Sequence, residues 1–469
     1  MPVNTPRHDF EAMSAKWRRV RDCYNGRDAV LKAGNRYVPD LAGLDTKKNN
    51  DEYRERGNFY NATARTVRGM NGSIFQTAPK VDIGESFKPL LTDFTLTNVT
   101  FESFATFLGN EIFITGRYGV LIDMPEQPLG ERPRTDVEMR PYCVGYCAES
   151  IINWRTVKRG GDEMLDLLVL EEQIEVPTED PFVNQKLCQY RVLMMKGGVC
   201  VRQLWKQKNK DSSEYLMTDE VILQRRGEPL TFIPFVFQGA LSPTPELENP
   251  PLVDLADINL AHWRNSVDHE YGLHLVALPT PWVAGSKGSG DAPMKMGPSV
   301  IWELDLQGSA GMVEFTGNGL KAIVEAMDEK KKQMATLGAR LLEDSPTTNE
   351  TAAGVRMRHG GEVASLKTIA QSLEQGLTGV LQICIWWQGT DKTPQVVKAA
   401  VTLNKEYLNI RATPQEIQVA LTALQAGEMS FETWYNLLTT GGWAREGVNA
   451  EQERKDIDTR VLPDPEPEA

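Results

Sequence analysis

The hydrophobic pattern is most regular between residues 318 and 389. A helical pattern runs to about Glu343 and breaks at Asp344-Ser345-Pro346-Thr347-Thr348-Asn349-Glu350. It then resumes to about Gly389. In the second half, apolar residues fall at Val363, Leu366, Ala370, Leu373, Leu377, Val380, Cys384 and Trp387. Alternating steps of three and four predict a seam between packed helices. Pro346 enforces the break, and the polar residues after it can cap the next helix. Gly360-Gly361 predicts a kink.

The pattern elsewhere predicts an α+β chain. Phe10, Met13, Trp17, Val20 and Cys23 recur at helical spacing behind Asp9, a candidate cap. A second helix is predicted over Asp51–Phe75, and a third carries Phe94, Val99, Phe101, Phe104, Leu108 and Ile112. Gly116 and Gly119 bracket a turn into the short strand Val120-Leu121-Ile122. Residues 140–240 read as successive antiparallel strands, at 165–176, 187–195, 199–205 and 221–225, with Lys196-Gly197-Gly198 as a hairpin turn. Phe232–Phe237, which contains Pro234, reads as an edge strand.

A Pro-rich linker, Ser242–Pro251, precedes a helix over Leu252–Leu278 with the apolar stripe Ala256, Leu260, Trp263, Val267, Tyr271 and Leu275. A glycine-rich loop, Gly285–Gly290, and two strands, Val300–Leu306 and Met312–Phe315, form a small β insertion. A strand over Val396–Val401 and two short helices, Pro414–Ala426 and Ser430–Thr440, follow the long helix; Thr413 and Ser430 are the candidate caps. Residues 446–469 hold eight acids and three bases and end Pro-Asp-Pro-Glu-Pro-Glu-Ala, the composition of a disordered tail.

At 469 residues, with 41% hydrophobic and 25% charged positions, the chain predicts two or three soluble domains. Six scattered cysteines predict reduced thiols rather than a disulfide framework. The first residues lack the apolar stretch of a secretory signal, and no apolar run reaches the length of a membrane span. Net charge −13 argues against a nucleic-acid coat, yet suits a surface past which DNA slides without sticking. Basic residues crowd the N-terminal helices at Arg18, Arg19, Arg21, Arg54, Arg56, Arg65 and Arg68, either ion-paired or meeting a subunit or partner.

The search for chemistry returns little. No phosphate-cradling G-x-x-x-x-G-K-[ST] and no G-x-S-x-G elbow is present. His269 and His274 stand five apart, so they diverge around a helix and cannot chelate as H-E-x-x-H does. Cys143 and Cys147 lack a second ligand pair. No cofactor is implied. Lys330-Lys331-Lys332, with Lys321 and Arg340 beside them, form either a solvated, ion-paired face or a set of cations that meet passing phosphates.

The order of elements resembles the portal proteins of tailed bacteriophages. Four stretches carry the closest likeness: Met13–Asp22, Arg56–Val67, Thr115–Asp123 and Asp254–His262. They resemble portal-like phage proteins of the DUF4055 type, and the likeness covers about residues 5–440. It implies a mainly wing region over 1–250, stem helices at 251–278 and 318–344 and a clip at 279–317. A tunnel loop at 345–353, a long kinked wing helix with a returning strand at 354–410, a short helical crown at 411–445 and the acidic tail complete the layout.

Asp344, Thr347, Thr348, Asn349 and Glu350 would face the channel, and Lys330, Lys331, Lys332 and Arg340 would face DNA. Val363, Leu366, Leu373, Leu377, Val380 and Trp387 would form the packing seam. The family implies a non-enzymatic dodecameric ring at one capsid vertex of the virion, made in the bacterial cytoplasm. Double-stranded DNA would pass through it, and it would dock the terminase large subunit, the major capsid protein or scaffold, and a head–tail adaptor. The competing readings are another head–tail connector, and a cytosolic hydrolase using His262, His269 and Glu270.

Overall fold

The computed structural model describes residues 2–44, 46–125, 140–178, 180, 182–209, 212, 214–277, 280–286, 304–313, 318–339, 352–407, 414–440, 443–444 and 448–458. The N-terminal elements are α1 (Phe10–Asn25), α2 (Arg27–Ala33), α3 (Lys47–Glu55), α4 (Ala62–Ile74), β1 (Lys80–Asp82), α5 (Pro89–Thr92) and α6 (Phe101–Thr115). Strands β2 (Arg117–Asp123), β3 (Tyr142–Cys147), β4 (Ile151–Arg159), β5 (Asp162–Pro177), β6 (Asn184–Lys196), β7 (Val199–Gln207) and β8 (Tyr215–Ile222) follow. Two short strands, β9 (Gln224–Arg225) and β10 (Glu228–Pro229), lead to β11 (Phe235–Gly239). The rest is α7 (Val253–Ala277), β12 (Thr280–Ser286), β13 (Leu304–Val313), α8 (Asn318–Met334), α9 (Ala352–Gln388), β14 (Ala400–Thr402), α10 (Pro414–Gln425), α11 (Phe431–Thr440) and α12 (Ala450–Asp458). The chain is α+β.

It divides into two compact units, Met1–Asp344 with Ser365–Leu403, and Ser345–Ala364 with Asn404–Ala469. In the first unit, α1 buries Met13, Trp17, Val20 and Cys23, a helical stripe that packs against α4, α6 and α7. Asp9 does not cap this helix through its side chain; it pairs with Arg7 at 3.2 Å. Helix α6 is capped at Thr100, whose Oγ1 accepts from Ser103 N at 3.2 Å. Gly116 then takes φ 71°, where its N–H reaches Ile112 O at 2.8 Å and turns the chain into β2.

Strand β2 is buried at every position, as befits the centre of the antiparallel sheet β11-β2-β3. β11, with Pro234 just before it, is an edge strand as predicted. Strands β4 to β8 form a separate antiparallel meander in chain order. Its β6–β7 turn uses Gly197 and Gly198 at φ 58° and 87°, the left-handed pair a tight two-residue hairpin requires. Arg191 joins the two sheets: it donates to Asp123 of β2 at 2.9 Å and to Glu172 of β5 at 2.7 Å.

Other expectations change as well. The single helix over Asp51–Phe75 is two, α3 and α4. Gly57 between them lies so close to α7 that a Cβ would sit 2.5 Å from the Val267 side chain, and Asn61 restarts the helix by accepting from Ala64 N at 3.0 Å. The two strands of the β insertion are one, β13, which runs through Gln307–Gly311 and pairs with β12. Gly311 lies against the Trp282 ring, so it is a spacing residue rather than a turn residue. The strand near Val396–Val401 is shorter and later, β14, paired with β1.

In the second unit, α10, α11 and α12 follow in chain order. Ser430 caps α11 by accepting from Thr433 N at 3.2 Å, and Phe431 stacks on Tyr435. Thr413 lies outside the described residues. Residues 450–458, expected in a disordered tail, are helix α12. Asn449 accepts from Gln452 N at 2.8 Å, and Glu451 and Glu453 occupy the first turn, where the helix dipole favours acids.

Candidate functional site

Helices α7 and α8 with the β12–β13 ribbon expose several large apolar side chains among the described residues of the first unit. The N-terminal half of α7 is deeply set, with Leu255, Ala256, Leu260, Trp263 and Val267 buried. Two of its buried polar groups, Asn259 and Ser266, are matched. Asn259 Oδ1 accepts from Thr63 N and Oγ1 at 3.2 and 3.0 Å, and its amide donates to Tyr60 O at 2.8 Å. Ser266 Oγ accepts from Asn58 N at 2.9 Å. These bonds fix α7 to the α3–α4 connection, because a buried unpaired amide would cost about 1–3 kcal/mol.

Past Val267 the burial fades. Leu273 and Leu275 are 41% and 39% exposed, and α8, which packs on α7, exposes Val324 at 40%. Trp282 and Met312 of the ribbon are 42% and 52% exposed, and Leu306 is fully exposed. Gly272 sits where Leu320 of α8 approaches, so the pair is closely packed. After α8 the backbone makes a π-helical turn, Ala335–Ala339, whose Gly338 meets Thr66 and Leu255. The second stem helix predicted to reach residue 344 is therefore regular only to Met334. Arg340 and the loop residues Asp344, Thr347, Thr348, Asn349 and Glu350 lie outside the described residues.

The three lysines do not share one environment. Lys330 is half-buried and donates to Ala326 O at 3.4 Å, and Lys331 pairs with Asp328 at 3.2 Å. Both stand near enough to His262 of α7 to oppose its protonation. Lys332 is exposed, with no ion pair among the described residues. His262 is buried, and that burial, followed by the charges of Lys331 and Lys330, lowers its pKa to about 4. Among the described residues its ring nitrogens have no hydrogen-bond partner, and the Tyr60 ring lies 5.7 Å away between centroids.

The hydrolase constellation does not assemble. His262 is only 2% exposed, so a substrate cannot touch it. His269 Nδ1 lies 3.6 Å from Glu270, whose carboxylate accepts from Asn58 at 3.4 Å. Among the described residues no group of three His, Cys, Asp or Glu side chains could hold a metal ion, and no helix is long and apolar enough to cross a membrane.

The seam of α9 is buried, but its partner differs from the expected helix. Leu366, Ala370, Leu373, Leu377, Val380, Cys384 and Trp387 are buried, and Ile369, Leu381, Ile385 and Trp386 widen the stripe. The side chain of Val363 lies outside the described residues, and the helix runs unbroken through Gly360 and Gly361. The stripe faces strands. Ser372 Oγ donates to Gly239 O at 2.8 Å, Gln238 of β11 donates to Ser372 O at 2.8 Å, and Cys384 Sγ lies 3.5 Å from Cys143 Sγ of β3. Burial pushes the Cys143 thiol well up, which keeps it an unreactive packing group. Val401 N donates to Thr378 and Leu403 N to Glu374, which lays the β14 segment along the helix. Arg225 and Arg226 donate to the last carbonyls, Gly389 O at 2.7 Å and Gln388 O at 2.9 Å. A step of three and four marks a buried stripe without saying what covers it; the Gln238–Ser372 pair had no sequence signal.

The family model described as Domain of unknown function (DUF4055) matches residues 251–388, the segment from α7 through α9. No curated protein matches the chain. Among solved structures, the chain is similar to one in the virion of a native gene transfer agent particle, at 12% identity and TM-score 0.38, over 83% of this chain and 92% of that one. It is also similar to one in the neck of an empty particle computed with C6 symmetry, at 11% identity and TM-score 0.39, over 84% and 93%. A third, from the neck of a native particle computed with C12 symmetry, gives 12% and 0.39 over 82% and 92%.

Proposed function

We propose that the chain is a subunit of a phage portal ring, a non-enzymatic collar at one capsid vertex through which double-stranded DNA enters and leaves. The observation that carries this reading is the helix pair and ribbon that leave large apolar side chains, Leu273, Leu275, Trp282, Leu306, Met312 and Val324, open to solvent in the single chain. Such a surface calls for neighbours. In a closed ring each copy presents one patch to a different patch on the next, and long helix faces serve that need. The portal-like stretches, and the DUF4055 match over α7, the ribbon, α8 and α9, fit the same layout.

On this reading α7 and α8 are the stem and β12–β13 belongs to the clip that meets the motor and later the adaptor. Residues 345–353 would be the tunnel loop, and Lys332, exposed and without an ion pair among the described residues, would be the lysine that meets passing phosphates. A dodecamer is the family's expectation, with terminase, capsid or scaffold protein, and a head–tail adaptor as partners. Light scattering and electron microscopy of the purified chain test the proposal. Rings are expected; a particle of one 52.5 kDa chain at all concentrations overturns it.

A further inference from the structure

Among the crowded basic residues of the N-terminal helices, the structure separates those already engaged from those that are not. Arg21 is held between Glu111 and Glu149 at 2.7 and 2.6 Å, and Arg54 is buried against Asp51 and Asp40. Arg68 lies over the Tyr24 ring. Two others, Arg18 and Arg19, meet two further arginines elsewhere. Arg18 and Arg19 of α1, Arg36 after α2 and Arg264 of α7 line one open cleft of about 500 Å³.

Its one acidic lining residue, Asp257, is taken by Arg19 at 2.8 Å. Arg36 stands 4.0 Å from Asp22, whose Oδ2 already accepts from the Tyr37 hydroxyl at 2.6 Å. Arg18 and Arg264 are exposed, and among the described residues neither has a carboxylate within ion-pair distance. A concave site with more guanidinium than carboxylate is unusual on a chain of net charge −13. Guanidinium forks bind oxyanions in pairs of parallel hydrogen bonds, so the site selects carboxylate or phosphate.

We propose that this cleft receives an acidic segment of a second copy of this chain. The inference rests on the ring reading above. Copies that each carry net charge −13 repel one another, and a closed ring must offset that repulsion at every interface. A heterologous contact does so by setting a positive patch of one copy against a negative patch of the next. The cleft is such a patch, and an acidic second copy is the polyanion that assembly itself supplies in equal number. Asp257 holds Arg19 across the wall and leaves Arg18 and Arg264 as the arms that reach outward.

The test uses the full chain and its R18E/R264E variant, with R18K/R264K and R18A/R264A as companions. Circular dichroism and thermal unfolding first establish that each variant is folded, as expected for exposed, unpaired side chains. Sedimentation velocity then follows assembly over a range of concentration and salt. Added salt should help R18E/R264E assemble more than it helps the wild type, because in the wild type screening removes the local attraction along with the general repulsion. R18E/R264E should need at least about tenfold more protein to assemble. R18A/R264A should shift the same way by less, and R18K/R264K, which keeps the charge but not the fork, should fall between R18A/R264A and the wild type. Wild-type rings with R18E/R264E rings at the same concentration overturn this inference and leave the ring reading intact. A wild type that never assembles overturns both. Unchanged assembly, with weakened binding of a double-stranded oligonucleotide, overturns the second-copy occupant in favour of phosphate.

Discussion

At the scale of single residues, close approach and buried charge decide most outcomes. Gly57 has no room for a methyl group, since a Cβ would meet the Val267 side chain at 2.5 Å and its Cα at 3.1 Å. Gly57→Ala should therefore lower stability by about 1–3 kcal/mol in denaturant unfolding. Arg21 shows how charge is buried here. Desolvation opposes its charged form, but the hydrogen bonds and charges of Glu111 and Glu149 outweigh it and raise the pKa. His262 has no such help. In the unfolded chain it takes a proton near pH 6.5, while in the fold it stays neutral down to about pH 4. Its stabilising effect is thus whole above pH 6.5 and is lost as pH falls toward 4, by on the order of 3 kcal/mol. Asp328 partly offsets the lysines, so the loss is graded. His262→Leu should flatten the melting temperature over that window; an unchanged slope would show that other groups govern it.

At the scale of elements, periodicity told where chain segments are buried and left open what buries them. α7 was legible from its stripe, and the β6–β7 hairpin from Gly197-Gly198, because both rest on local geometry. The α9 seam was legible as a stripe, but a sheet and a strand cover it. Leu373→Ala or Leu377→Ala should consequently destabilise the chain itself, by about 2–5 kcal/mol. Substitution of either by Asp should yield unfolded protein rather than soluble unassembled subunits. The split between α3 and α4 was hidden because Gly57 is dictated by α7, more than 200 residues away in sequence. β13 was misread because Gly311 serves the Trp282 ring. α12 was masked by its acidity, although Asn449 and the first-turn glutamates are a good start signal. The candidate site was less legible than the fold. Its lysines read alike in sequence, yet Lys331 is paired, Lys330 is half-buried and Lys332 is open.

At the scale of the whole molecule, the deciding feature is the apolar surface that the chain leaves uncovered. Leu273→Asp with Val324→Asp should leave the far-ultraviolet spectrum unchanged and abolish higher-order particles in sedimentation. Normal rings from that variant would remove the argument for this face. Under the portal reading, deletion of 344–349 should spare assembly and impair genome packaging or retention, and Lys332→Ala should lower genome filling more than Lys331→Ala. The uncovered surface also has a thermodynamic signature. On the ring reading, side chains such as Leu306, exposed in the single chain, gain shelter from a neighbouring copy, so association and folding would draw on one free energy. Heating curves recorded at successive dilutions should not superimpose. The thinner the solution, the earlier the α7–α8 arm should melt, while the body around Trp17 and Trp263 holds its transition.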